Sequence, residues 1–193
     1  SKNGHPNYVP EYIKTDSSTY HVAQGPDGAL VASLSPHCMQ TLSRDEKAFG
    51  ALMAFLKEYD GQARTVLAVQ IENEIGYANT DMDYSEEAQK AYMQEIPDCL
   101  KNIVLEDSGI EELKNPETLS PWRRQFGRYA HEAFSAWYHA KFIGQIAKTG
   151  KAIYDLPLFT NVMVGENGYE EAGLCYNAGA AVGRMLDIWK AGA

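Results

Sequence analysis

Glu72, Asn73 and Glu74 stand in a row at the end of the most apolar stretch of the chain, Thr65 to Ile71, just ahead of Gly76. Burying two carboxylates beside β-branched residues is costly unless they are paired or put to use. Carboxyl groups with shifted pKa values are the usual general acids and bases of hydrolytic sites. Pairing with arginines in a buried network is the structural alternative. Two residues apart on a strand, the side chains of Glu72 and Glu74 would project side by side, with Cα atoms roughly 6–7 Å apart. Glycosidase carboxylates flank the scissile bond from opposite sides. One of these two would therefore have to work with a carboxylate from elsewhere.

The elements around this triplet have to position it. The run from Thr65 to Ile71 reads as a strand covered on both faces in a parallel sheet. By parity Leu67, Val69 and Ile71 share one face, and Val66, Ala68, Gln70, Glu72 and Glu74 share the other. Pro157 to Val164 is the second strong strand. Between and around them lie helices. Ser43 with Glu46 reads as a capping box opening one, Phe49, Leu52, Met53 and Leu56 give it a buried face, and Gly61 is expected to stop it in a left-handed conformation. Ser85 is expected to cap a short helix that ends or kinks at Pro97, and a further helical piece spans Asp98 to Glu106. Ser120-Pro121 opens a long helix reaching about Lys148, with Tyr129, Ala133, Phe134, Trp137 and Phe142 inward. A last helix lies near Arg184 to Ala191, after a glycine-rich loop at 165–181. Residues 1–28 read as irregular, with at most a short strand at Ala29 to Leu34. Alternating strands and helices imply an α/β fold with parallel strands. Two parallel strands cannot protect a sheet's edges. Strands are therefore missed in the first sixty residues, or the chain is part of a larger fold.

Composition excludes several functions. The 193 residues carry 17 basic and 26 acidic side chains, net −9, which opposes nucleic-acid binding. No run approaches a membrane span, and the opening SKNGHPNY has no basic-then-apolar leader, so a signal peptide is expected to be absent or already removed. Cys38, Cys99 and Cys175 form neither a disulfide framework nor a zinc signature, so the compartment stays open. Asp81-x-Asp83-x-Ser85 lacks the glycine and final Glu of a calcium loop, and His131-Glu132 lacks the second His of a zinc-protease helix. Gly179 and Gly183 make no dinucleotide fingerprint, and no G-x-S-x-G is present. Neither a metal nor a cofactor is expected. Asn161, Trp122 and Tyr77 are candidates to line a sugar site, with helix-end packing the plainer reading of Trp122.

Val69-Gln-Ile-Glu-Asn-Glu-Ile-Gly76 resembles the fourth-strand signature of clan A glycoside hydrolases, in the form typical of family 35 β-galactosidases. Lys2-Asn-Gly4, Tyr8-Val-Pro10, Leu34-Ser-Pro36, Ala130 to Ile143 and Arg184 to Gly192 resemble bacterial members of a β-galactosidase-like branch. The resemblance implies a retaining β-glycosidase on a partial (β/α)8 TIM barrel, covering roughly strands four and five, with residues 1–193 one partial catalytic domain. Carried over, Glu74 matches the acid/base and Asn73 the partner of the sugar 2-hydroxyl. Glu72 falls inside the signature, where it would orient Glu74, raise its pKa or pair structurally. Ile75 stands where the signature has Tyr. The family's nucleophile is a second Glu after the seventh strand, expected outside this chain. Glu166 sits in a loop after the segment matching strand five. The isolated chain is accordingly expected to be inactive. The implied partner is a β-galactoside or related oligosaccharide, and exposed barrel edges leave self-association open. The competing expectation is a non-catalytic carbohydrate-binding or structural remnant of the same barrel.

Overall fold

A computed structural model describes residues 9–77, 79–161, 178–179 and 183–193. It is a mixed helix-and-strand fold whose α-helices, in chain order, are α1 (Glu11–Thr15), α2 (Met39–Asp60), α3 (Glu86–Tyr92), α4 (Pro121–Phe126), α5 (Ala130–Ile153) and α6 (Leu186–Gly192). The strands are β1 (Val22–Gln24), β2 (Leu30–Leu34), β3 (Val69–Gln70) and β4 (Leu158–Phe159). β3 and β4 pair in parallel, with Val69 opposite Leu158 and Gln70 opposite Phe159. β1 and β2 form a separate antiparallel hairpin. One strand was therefore missed in the first sixty residues, β1, and it does not join the parallel pair. A mixed helix-and-strand fold agrees with the α/β expectation at that level.

The parallel pair lies on a helical layer. Leu42, Phe49 and Met53 of α2 meet Phe142 and Ile146 of α5, and Val69, Ile71, Leu156 and Leu158 pack against this group. The two helices approach closely at Gly150, where a Cβ would lie 2.3 Å from Cε1 of Phe49. A larger core lies on the other side of α5, gathering Trp122, Phe126, Phe134, Trp137, Ile188 and Trp189 among others. Ala133, Phe134, Trp137 and Phe142 are buried as expected, while Tyr129 is half-buried.

Several local expectations are corrected. α2 starts at Met39, four residues before the supposed cap, so Ser43 is inside the helix. Glu46 turns instead to α5, accepting hydrogen bonds from Gln145 (3.0 Å) and Thr149 (2.8 Å). Gly61 is right-handed (φ −57°). The left-handed residue is Arg64 (φ 52°), and the turn into β3 is shaped by Asp60, whose carboxylate accepts the Thr65 and Val66 N–H groups (both 2.9 Å) and the Thr65 hydroxyl. Regular pairing reaches only Val69–Gln70, and Leu67 is 80% exposed, so the strand is not covered on both faces.

Asp98 to Glu106 supplies only a 3-10 turn, Asp98–Leu100. Ser85 does cap α3, and Ser120 with Pro121 does open α4. The long helix is split in two, because Gly127 (φ 53°) passes so close to residue 108 that a Cβ would fall 2.0 Å from the Ser108 carbonyl. That carbonyl accepts the Arg128 N–H (2.9 Å). α6 matches the expected last helix. Val162 to Val164, Cys175, Glu166 and most of the glycine-rich loop lie outside the described residues. Among the described residues no helix is long and apolar enough to cross a membrane.

Candidate functional site

The strands of the parallel pair run in the same direction, so their carboxyl ends open together. At that end the chain brings together Gln70, Glu72, Asn73 and Glu74 after β3 and Thr160 and Asn161 after β4. Two backbone groups fix how the amides are oriented. The Glu74 N–H donates to Oδ1 of Asn161 (2.9 Å), so that atom is the oxygen. Nδ2 of Asn161 then donates to Oδ1 of Asn73 (3.0 Å). Nε2 of Gln70 lies within hydrogen-bond reach of the Glu72 carbonyl (2.9 Å), Oδ1 of Asn161 (3.0 Å) and Oδ1 of Asn73 (3.1 Å). The Glu72 carbonyl also accepts from the Thr160 hydroxyl (3.2 Å).

Glu74 sits at φ 50°, a left-handed conformation that is uncommon outside glycine and asparagine. Such a residue persists when its surroundings over-determine it, and it is found preferentially at functional sites. The turn also ends the strand's alternation before Glu74. Glu72 lines a cavity, whereas Glu74 is not among that cavity's lining residues.

That cavity is bounded by Ser33 of β2, Ser35 after it, Thr41 and Asp45 of α2, Glu72, and His139 of α5. Its volume of about 40 Å³ admits a water molecule or two and no sugar ring. Burial first, and the nearby Glu72 charge second, raise the Asp45 carboxyl to about 6. Burial pulls the His139 imidazole down to about 4. Its Nδ1 lies 2.8 Å from the Ser135 carbonyl, which can only accept, so His139 carries its proton there. The Thr41 hydroxyl is buried with no hydrogen-bond partner among the described residues.

The remaining sequence candidates have structural neighbours. Trp122 is 2% exposed and rings against Phe126 and Phe134 in the core, which removes it as a stacking surface. Tyr77 is likewise buried, edge-on to His139 (4.7 Å). Asp81 accepts from the Tyr84 hydroxyl (2.9 Å) and pairs with Nδ1 of His131 (2.6 Å). Burial would raise the Asp81 carboxyl, but these contacts hold it below the usual range. Asp83 accepts the Gln24 and Ser85 N–H groups and the Ser35 hydroxyl, tying the hairpin to the start of α3. Glu132 is buried and pairs with Arg184 (3.2 Å).

Gln70, Thr160, Asp45, Thr41 and His139 were not singled out from sequence. Only Gln70 left a signal, as an amide interrupting an apolar strand; the others come from segments distant in the chain. The chain matches no protein-family model and no curated protein.

Proposed function

We propose that this chain carries the acid/base side of a retaining β-galactosidase-like site, on part of a (β/α)8 barrel around its fourth and fifth strands. The observation that supports this reading best is the meeting of Glu74, Asn73 and Asn161 at the carboxyl ends of two parallel strands, where barrel enzymes carry their catalytic groups. In this reading Glu74 gives its proton to the glycosidic oxygen as the C1–O bond breaks and a second carboxylate attacks C1. Water then attacks C1, Glu74 takes the water's proton, and the second carboxylate leaves. That second carboxylate comes from outside the described residues. Asn73 hydrogen-bonds the sugar 2-hydroxyl, and Glu72, lining a cavity too small for sugar, acts by position.

The test is hydrolysis of phenyl β-galactoside by the intact parent protein, which supplies the second carboxylate, and by its Glu74→Gln variant. Loss of an acid/base group lowers kcat by about 10²- to 10⁴-fold, and azide should restore turnover of an activated aryl galactoside by replacing the water that needs a base. Turnover that survives the substitution overturns the assignment of Glu74. Saturable galactose binding in calorimetry with no hydrolysis by the natural protein would favour the carbohydrate-binding alternative.

A further inference from the structure

We infer that Gln70 and Asn161 form an amide clasp that positions Glu74, so that Asn161 is a positioning residue rather than a sugar ligand. The inference rests, for its catalytic consequence, on Glu74 being the acid/base.

The argument begins with what each amide can offer. A side-chain amide has two N–H donors and an oxygen that accepts two hydrogen bonds. Oδ1 of Asn161 accepts the Glu74 N–H and is also one of three oxygens that share the two hydrogens of Gln70 Nε2. Its Nδ2 gives one hydrogen to Asn73. Nε2 of Gln70 faces three oxygens within 3.1 Å, one of them the backbone carbonyl of Glu72. Turning that amide around would set oxygen against oxygen at all three places. The orientation is therefore dictated from both sides, by a backbone donor at Glu74 and a backbone acceptor at Glu72.

Those two backbone groups bracket Asn73 and enter the left-handed turn at Glu74. A non-glycine residue in that region is disfavoured, and hydrogen bonds to the turn offset that cost. Asn161 bonds the N–H of the strained residue itself, and Gln70 bonds the carbonyl of Glu72, two residues before it. Together they set the direction in which the Glu74 side chain leaves the backbone. Asn73 is held by both amides, so its own carboxamide is oriented by the same device.

Two measurements test this on the natural protein. The first is amide hydrogen exchange by NMR. Asn161→Ala should speed exchange of the Glu74 amide by about tenfold, the worth of one hydrogen bond. The Ile71 amide, bonded to the Phe159 carbonyl at 2.9 Å, should keep its rate. Asn161→Asp retains the acceptor oxygen and should retain Glu74 protection while weakening the tie to Asn73, which also covers the case in which the alanine variant does not fold. Unchanged Glu74 exchange in Asn161→Ala, or an equal rise at Ile71, would overturn the clasp. The second measurement compares phenyl and dinitrophenyl β-galactosides. Misplacing an acid should lower kcat by about 10- to 100-fold, and more for the poor leaving group, with KM little changed, in both Asn161→Ala and Gln70→Met. A rise in KM alone would make Asn161 a sugar contact and reject the inference. If the intact parent protein, which supplies the second carboxylate, hydrolyses neither substrate, the glycosidase reading fails while the exchange experiment still decides the clasp.

Discussion

At the scale of single residues, Asp45 is, among the described residues, a carboxyl held well above its ordinary value. Its protonated form is favoured in the folded chain up to about pH 6, against an ordinary value of 3.8. A raised carboxyl stabilises the fold below its unfolded pKa, and this contribution is lost as pH climbs from 3.8 through about 6. The shift corresponds to about 2–3 kcal/mol at neutral pH. Asp45→Asn keeps the neutral shape, so it should match the parent near pH 4 and exceed its stability at pH 8 by about 2 kcal/mol. Urea unfolding at the two pH values checks this, and equal midpoints at pH 8 would contradict it. None of this was legible in the sequence, where Asp45 is one more acid on a helix. Its environment is created by Glu72 arriving from β3 and by His139 from α5. The triplet at 72–74, by contrast, announced itself, because polar groups at the end of an apolar run are a one-dimensional signal. What that signal lacked was the backbone turn at Glu74, which depends on an amide 87 residues away.

At the scale of elements, the packing of α2 on α5 decides where the strand pair rests. Gly150 makes that approach possible, since an added Cβ would overlap the Phe49 ring. Two effects oppose each other in Gly150→Ala. Helix propensity favours alanine by about 1 kcal/mol, while overpacking a close contact costs about 1–3 kcal/mol. The ring is buried and Met53 Cγ lies 3.2 Å from the same Cβ position, so overpacking should win. The variant should lose about 1–2 kcal/mol of stability in urea unfolding, and a gain would show that the helices separate easily. The existence of these helices could be read from their apolar spacing and from the Ser120-Pro121 start. The break at Gly127 could not, because it is imposed by Ser108 from outside the helix. The limits of β3 were likewise overestimated from sequence: an apolar run marks a segment, but pairing length depends on the neighbour, and β4 pairs at only two positions.

At the scale of the whole molecule, two buried imidazoles among the described residues contribute to the response to acid. His37 and His139 are both drawn down to about 4, chiefly by burial. His37 also faces Asp83 and Glu87, which pull it upward, and Lys141, which pushes it down. A depressed histidine contributes stability above its unfolded value of 6.5 that is lost as pH falls toward 4. Asp45 works in the opposite direction over part of this window, but there is one of it and two histidines. The balance leaves unfolding to take up about one proton near pH 5, a slope of about 1.4 kcal/mol per pH unit. Thermal unfolding followed from pH 6.5 to 4 should show a falling midpoint, and His139→Gln should flatten it. A midpoint that rises on acidification would reverse the assignment.

The amide clasp joins residues that are 91 apart in the chain, across a segment containing α3, α4 and all of α5. Bringing distant residues together carries a loop-closure entropy that local contacts avoid. Helix α5 and the Ser85 and Ser120 caps need only near neighbours and can close early. The clasp has to wait until the strand pair has met, and Glu74 acquires its conformation only then. In this order of folding the turn at Glu74 is among the last features to be set, so a partly folded chain carries its helices without that turn in place.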